Sequence, residues 1–167
     1  KEVNDAVMGG YWREAGSRGI VAGGGPSDAA GIDYIIMATA GNAADFGDLT
    51  VGKSSMAGLG SFTRAIFAGS QNSPGISDDI DYVTFSTLGD AADFGNLTDE
   101  VNMPGALSNS TRGIVAGGRD PSASNILNYL SMAATSNASD FGDLTVARFS
   151  PGGVSSPTRG VFSGGTD

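Results

Sequence analysis

One octapeptide returns along this chain at near-constant spacing, and that constrains its fold more than any other feature. Ser17-Arg18-Gly19-Ile20-Val21-Ala22-Gly23-Gly24 reappears as Thr63-Arg64-Ala65-Ile66-Phe67-Ala68-Gly69-Ser70. It returns as Thr111-Arg112-Gly113-Ile114-Val115-Ala116-Gly117-Gly118, and again as Thr158-Arg159-Gly160-Val161-Phe162-Ser163-Gly164-Gly165. The repeated arginines lie 46, 48 and 47 residues apart. Two more markers keep step. One is Ile32-Asp33-Tyr34, Ile80-Asp81-Tyr82 and Leu127-Asn128-Tyr129; the other is Asp45-Phe46-Gly47, Asp93-Phe94-Gly95 and Asp140-Phe141-Gly142. Three markers in one order with one period describe a tandem array of one supersecondary unit, whose hydrophobic face is buried only by stacking on its neighbours. Residues 17–62, 63–110 and 111–157 are whole units, 1–16 resemble the tail of a preceding unit, and 158–167 are the opening strand of a fourth.

Every unit reads as β. Ile20-Val21-Ala22 closed by paired glycines is a short apolar strand ended by a turn. Ile32 to Thr39 alternates, with Tyr34, Ile36 and Ala38 on one face and Asp33, Ile35 and Met37 on the other, the period of a pleated strand. Gly41-Asn42-Ala43 is a turn signal. Asp45 to Thr50 reads as a tight, side-chain-bonded turn leading into a third strand over Leu49 to Lys53. A weaker fourth strand precedes each arginine. No stretch holds a 3.6-residue apolar period, so the fold class is all-β. Three or four strands per unit suit a propeller blade, typically about 40–50 residues. A β-trefoil is the alternative architecture, and the duplicated opening strand at 158–167 counts against it. Three blades alone leave a β face uncovered at each end, with Phe67, Phe85 and Val115 among the residues expected there. The chain is therefore expected to belong to a longer one, or to assemble with further copies.

Charge and missing residue types narrow the function. Eighteen acidic residues face nine basic ones, a net charge of −9. So acidic a surface repels phosphate backbones and anionic lipid heads, which argues against nucleic-acid binding. No apolar run approaches the roughly 20 residues of a helical membrane span. The chain has no cysteine and no histidine. That removes thiolate nucleophiles, Ser-His triads, and zinc or copper sites built on those ligands. Neither a cofactor nor a metal is expected.

Arg18, Gly23-Gly24, Tyr34 and Phe46, like Arg112, Gly117-Gly118, Tyr129 and Phe141, follow the order of Kelch-type repeats. The chain thus resembles the galactose-oxidase-like propellers, with Phe standing where a Kelch repeat has Trp. The wording of the units is also similar to tandem repeats in tail-fibre, appendage and other virion proteins of marine bacteriophages. That resemblance implies a non-enzymatic structural or adhesive role on a virion surface or outside a cell. The implied partners are other virion or appendage subunits, the remaining blades of a longer chain, and host-surface glycans. A free lectin-like carbohydrate-binding propeller is the competing reading, and a glycan-cleaving enzyme a remote third.

Candidate residues follow from the repeat. Arg18, Arg64, Arg112 and Arg159 are read as structural, ordering a turn through a carboxylate or backbone carbonyls, as bidentate arginine does well; the competing reading binds acidic sugars. Asp45, Asp93 and Asp140 suit Asx-turns better than a calcium site, for which Asp-x-x-Asp supplies too few oxygens. Phe46, Phe94 and Phe141 read as core. Tyr34, Tyr82 and Tyr129 are candidate sugar platforms or inter-blade packing, since the ring offers an apolar face and a polar tip. Tyr11 and Trp12 lie outside the repeat and are candidate ligand contacts or a cap. The acidic run Asp78-Asp79-Asp81 raises paired-carboxylate glycoside hydrolysis, although no other unit reproduces it.

Overall fold

The computed structural model describes residues 18–24, 29–72 and 75–167. Tyr11 and Trp12 lie outside the described residues. Those described form thirteen β-strands and no helix, as the alternating pattern predicts. The strands build four antiparallel sheets, each a meander of sequential neighbours. The first holds β1 (Arg18–Ala22), β2 (Gly31–Ile36) and β3 (Ala44–Asp48). The second holds β4 (Ala57–Gly60), β5 (Arg64–Gln71), β6 (Ile76–Thr84) and β7 (Ala92–Asn96). The third holds β8 (Gly105–Ser108), β9 (Arg112–Ala116), β10 (Ile126–Ser131) and β11 (Ser139–Asp143). The fourth is the pair β12 (Gly152–Ser155) and β13 (Gly160–Ser163).

Sheets and sequence units are out of phase. The unit boundaries at 63 and 111 fall in the β4–β5 and β8–β9 turns, so each unit gives its last strand to the following sheet. The short strands β4, β8 and β12 lie side by side.

The sheets stack face to face, and strand alternation decides which residue fills which gap. Ile32, Phe46 and Leu49 of the first sheet meet Ala65, Phe67 and Val83 of the second. From the opposite face of that second sheet, Leu59, Ile66, Ile80 and Phe94 meet Val115, Leu130 and Met132 of the third. Because the second sheet is covered on both faces, β5 is buried from Ala65 to Ser70, giving a near-continuous apolar run.

Four expectations are corrected. The Asp-Phe-Gly segment is itself a strand (β3, β7, β11) and not a turn, and Leu49 to Lys53 is not a strand. The turn-like signature comes from a β-bulge: in the second sheet the register shifts between Ile80 and Asp81 as they pass Gly95 and Asp93. Gly95 sits at φ 140°, and Asp93 Oδ1 accepts a hydrogen bond from its N–H at 3.0 Å. Glycine takes that backbone conformation without steric cost, and the aspartate satisfies the donor that the bulge leaves unpaired. The second strand stops at Ile36, where Met37 to Thr39 turn. Finally, Phe67 and Val115 are buried between sheets and Phe85 is partly buried beside them. Large apolar side chains left exposed include Val21, Ile35 and Ile36 on the first sheet, Met37 in the turn after it, Phe141 on the third, and Val154 and Val161 on the fourth.

Candidate functional site

The repeated arginine, tyrosine and phenylalanine form one stack in each sheet. Register places Ile20 opposite Tyr34, Ile66 opposite Tyr82 and Ile114 opposite Tyr129. The arginine two residues earlier lies over the ring. Its guanidinium carbon is 5.1 Å from the Tyr34 centroid for Arg18, 4.8 Å from Tyr82 for Arg64 and 5.5 Å from Tyr129 for Arg112. Each such cation–π contact contributes roughly 0.5–2 kcal/mol, more as it is desolvated. Behind them Phe46 and Phe94 meet Tyr34 and Tyr82 edge-on, with centroids 6.0 and 5.8 Å apart. Tyr129 and Phe141 are more nearly parallel, at 27° and 6.3 Å. One face of each tyrosine is thus taken by its own arginine. Arg18 also donates to the Phe85 carbonyl of the next sheet. Arg159 is exposed and has no ring beneath it among the described residues.

The joints between sheets hold polar groups whose partners the sequence does not announce. Asp81 on β6 reaches back to the segment after β3. Thr50 Oγ1 donates to its carboxylate at 2.8 and 2.9 Å, Thr50 N–H does so at 3.3 Å, and Lys53 Nζ lies 3.1 Å from Oδ2. Lys53 is only 2% exposed, and its ammonium makes an ion pair without an aligned hydrogen bond. Asp79 Oδ2 lies 3.8 Å away. At the next joint the same seats hold Thr98 and Asn128. Thr98 N–H and Oγ1 donate to Asn128 Oδ1 at 3.0 and 2.8 Å, and Val101 takes the place of Lys53. A charge therefore sits opposite a charge, and a neutral amide beside an apolar side chain.

A second pair of links repeats as well. Asp90 Oδ1 accepts from Asp48 N–H at 3.0 Å, while Ala91 N–H donates to the Asp48 carbonyl at 2.7 Å. Asn137 Oδ1 accepts from Asn96 N–H at 3.1 Å, and Ala138 N–H donates to the Asn96 carbonyl at 2.7 Å.

At one end of the short strands, three equivalent turns surround a cleft of about 370 Å³. Each is closed by a side chain three residues before the arginine. Ser61 Oγ accepts from Arg64 N–H at 3.2 Å, Asn109 Oδ1 from Arg112 N–H at 2.8 Å and Ser156 Oγ from Arg159 N–H at 3.1 Å. Ser108 Oγ donates to the Gly60 carbonyl at 2.6 Å, Ser155 Oγ to the Ser108 carbonyl at 2.6 Å and Asn109 Nδ2 to the Pro157 carbonyl at 2.9 Å. Hydroxyls, amides and the half-exposed ring of Phe62 line this cleft. The spacing Ser/Asn-x-Thr-Arg is visible in the sequence and marks these turns, a signal that attention to the arginines alone passes over.

The structure keeps Asp45, Asp93 and Asp140 in separate sheets, and Asp140 Oδ1 bonds the N–H of Gly142 at 2.9 Å as Asp93 bonds that of Gly95. Among the described residues no group of three or more acidic side chains is placed to hold a metal ion. Asp78 Oδ1 accepts from Asn96 Nδ2 at 3.0 Å, so the acidic run at 78–81 is divided between an amide and the Lys53 ammonium. No protein-family model matches this sequence, and no curated protein matches it.

Proposed function

We propose that the chain is a non-enzymatic structural and adhesive module, built of Kelch-like propeller blades and displayed on a virion surface, as in a phage tail fibre or appendage. The observation that carries this reading is how the repeat spends its own functional groups. Arginine, tyrosine and phenylalanine stack within each sheet, and threonine with an Asp or Asn clamps one sheet to the next. Such side chains are scaffold, and scaffold repeated in register suits a load-bearing array. Stacked four-stranded meanders, with their shortest strands side by side, support the propeller over the trefoil. Among the described residues no helix is long and apolar enough to cross a membrane.

The turn-lined cleft gives this module its adhesive surface. Serine, threonine and asparagine groups beside the Phe62 ring match the hydroxyl edges and apolar faces of sugars. The same cleft favours the second reading, a free lectin-like module. Immunogold labelling of intact particles from the source separates the two: label on fibres or appendages supports the virion reading, and chain found only free of particles sinks it. On a glycan array, the full chain is expected to bind host-type glycans, with signal reduced at least fivefold by Phe62→Ala. Turnover of any glycan by the unmodified chain would overturn the non-enzymatic assignment.

A further inference from the structure

We infer that the groove beside β13 is a docking site for a β-hairpin of the same repeat type as β6–β7, and that it selects one carrying aspartate before its tyrosine. The inference does not rest on where the module is displayed.

The groove has a volume of about 590 Å³, and Leu107, Ile114, Leu127, Phe141 and Phe162 supply its apolar walls. At the two complete joints the equivalent space is filled. Val83 and Phe85 fill it against the first sheet, and Leu130 and Met132 fill it against the second. In both, the fillers are apolar side chains two residues apart that follow the Asp or Asn, the first on the tyrosine-bearing strand and the second just past its end. Nothing among the described residues occupies that seat beside β13.

Among the described residues, five further groups around the groove lack the partners their equivalents have. Arg159 has no ring beneath it among the described residues, whereas Arg18, Arg64 and Arg112 each cover a tyrosine. Among the described residues the outer edge of β13 pairs with no further strand, and an added strand satisfies its backbone groups. By the β5–β6 register, the incoming tyrosine falls opposite Val161, the residue before it opposite Phe162, and the isoleucine opposite Ser163. Asp143 stands where Asp48 and Asn96 are bonded by the Asp90–Ala91 and Asn137–Ala138 turns. Thr145 and Arg148 stand where Thr50 and Lys53 grip Asp81.

Arg148 determines the choice of hairpin. Its Nη1 donates to the Gly164 carbonyl at 2.7 Å, so the guanidinium already lies beside the exit from β13. An aspartate docked there receives both the Thr145 hydroxyl and a guanidinium, a charge-assisted pair. An asparagine leaves the guanidinium uncompensated as the groove closes over it. The occupant is a hairpin without its own inner strand. The first sheet carries a suitable Asp33, Tyr34, Ile35 and Met37, but β2 is already paired with β1, the counterpart of β13. Rigid docking of a second copy would put two strands in one seat.

The test uses a synthetic peptide of residues 76–98, titrated calorimetrically into the full chain. One-to-one binding is expected, at least tenfold weaker for the Asp81→Asn peptide, and Arg148→Gln in the protein is expected to abolish that preference. In parallel, residues 73–98 are appended after Asp167, which tethers the hairpin and removes the association cost. Amide exchange at Asp143 and Thr145 should then slow at least tenfold, and less in the Asp81→Asn extension. Silence of the free peptide with aspartate-dependent protection in the tethered chain still supports docking. Unchanged exchange in the tethered chain overturns it. Equal binding or protection by both hairpins overturns the selection, and self-association of the unextended chain through this groove, seen by sedimentation, overturns the choice of occupant.

Discussion

Phe94 and Phe141 occupy the same place in the same local sequence, on the same strand of consecutive sheets, yet one is 2% exposed and the other 53%. Both follow an aspartate that accepts from the N–H of the glycine two residues on, and that glycine sits at positive φ. Local structure is therefore the same, and only the covering differs. Phe94 lies under Leu130 and Met132 of the third sheet, while Phe141 borders the open groove. Burial belongs to a stack of sheets and not to a unit, and that explains why such repeats are stable together and poorly stable singly.

Phe94→Ala is expected to cost about 3–5 kcal/mol, the range for buried aromatic truncation. Phe141→Ala, at a largely exposed site, should fall within about 0.5 kcal/mol. Urea unfolding of both variants measures the difference, and equal losses would mean that the third sheet is covered in solution.

The two joints offer the next test. Asp81→Asn leaves the buried Lys53 ammonium only the half-exposed Asp79 carboxylate at 3.8 Å, so the loss should approach the roughly 3–5 kcal/mol seen when a buried pair loses one partner. Adding Lys53→Val recreates the pairing of Val101 with Asn128. It should restore most of the loss, because the Thr50 hydroxyl still finds an amide oxygen. A double-mutant cycle with a coupling energy below about 0.5 kcal/mol would show that the two positions act independently.

A smaller contrast is expected at the bulge glycines. A Cβ on Gly95 would lie 2.6 Å from the Ser136 carbonyl carbon and oxygen, whereas one on Gly142 meets nothing within 4 Å. Both substitutions carry the backbone cost of positive φ, about 1–3 kcal/mol. Gly95→Ala should add a further 1–3 kcal/mol or so of overpacking, read as a lower thermal midpoint. Smallest is Ser108→Ala, which removes the links to Gly60 on the neighbouring short strand. About 1 kcal/mol is expected, the net value of a hydrogen bond. No change would mean that water replaces the hydroxyl.

Much of the local structure was legible from the chain alone. Apolar alternation marked β2 and its counterparts, paired glycines marked strand ends, and the arginine spacing gave the period. The bulge is half-legible: Asp-Phe-Gly announces a side-chain-bonded irregularity but reads as a turn, since an Asx bond looks alike in both. The Lys53–Asp81 pair was not legible. Its partners lie in different units, and Lys53 has Val101 as its counterpart in the next, so no repetition marks it. The phase shift between units and sheets was hidden for a related reason. Sequence similarity follows the chain, while hydrogen bonding pairs β5, β9 and β13 each with the short strand before it.

By itself, then, the sequence determined an all-β array of like units, because strand period, turn chemistry and bulge formation depend on neighbours a few residues away. Which phenylalanine is core, which lysine is paired and which groove stays open were decided only by tertiary structure. Burial and ion pairing depend on what covers a surface, and the covering residues come from a sheet tens of residues further along the chain.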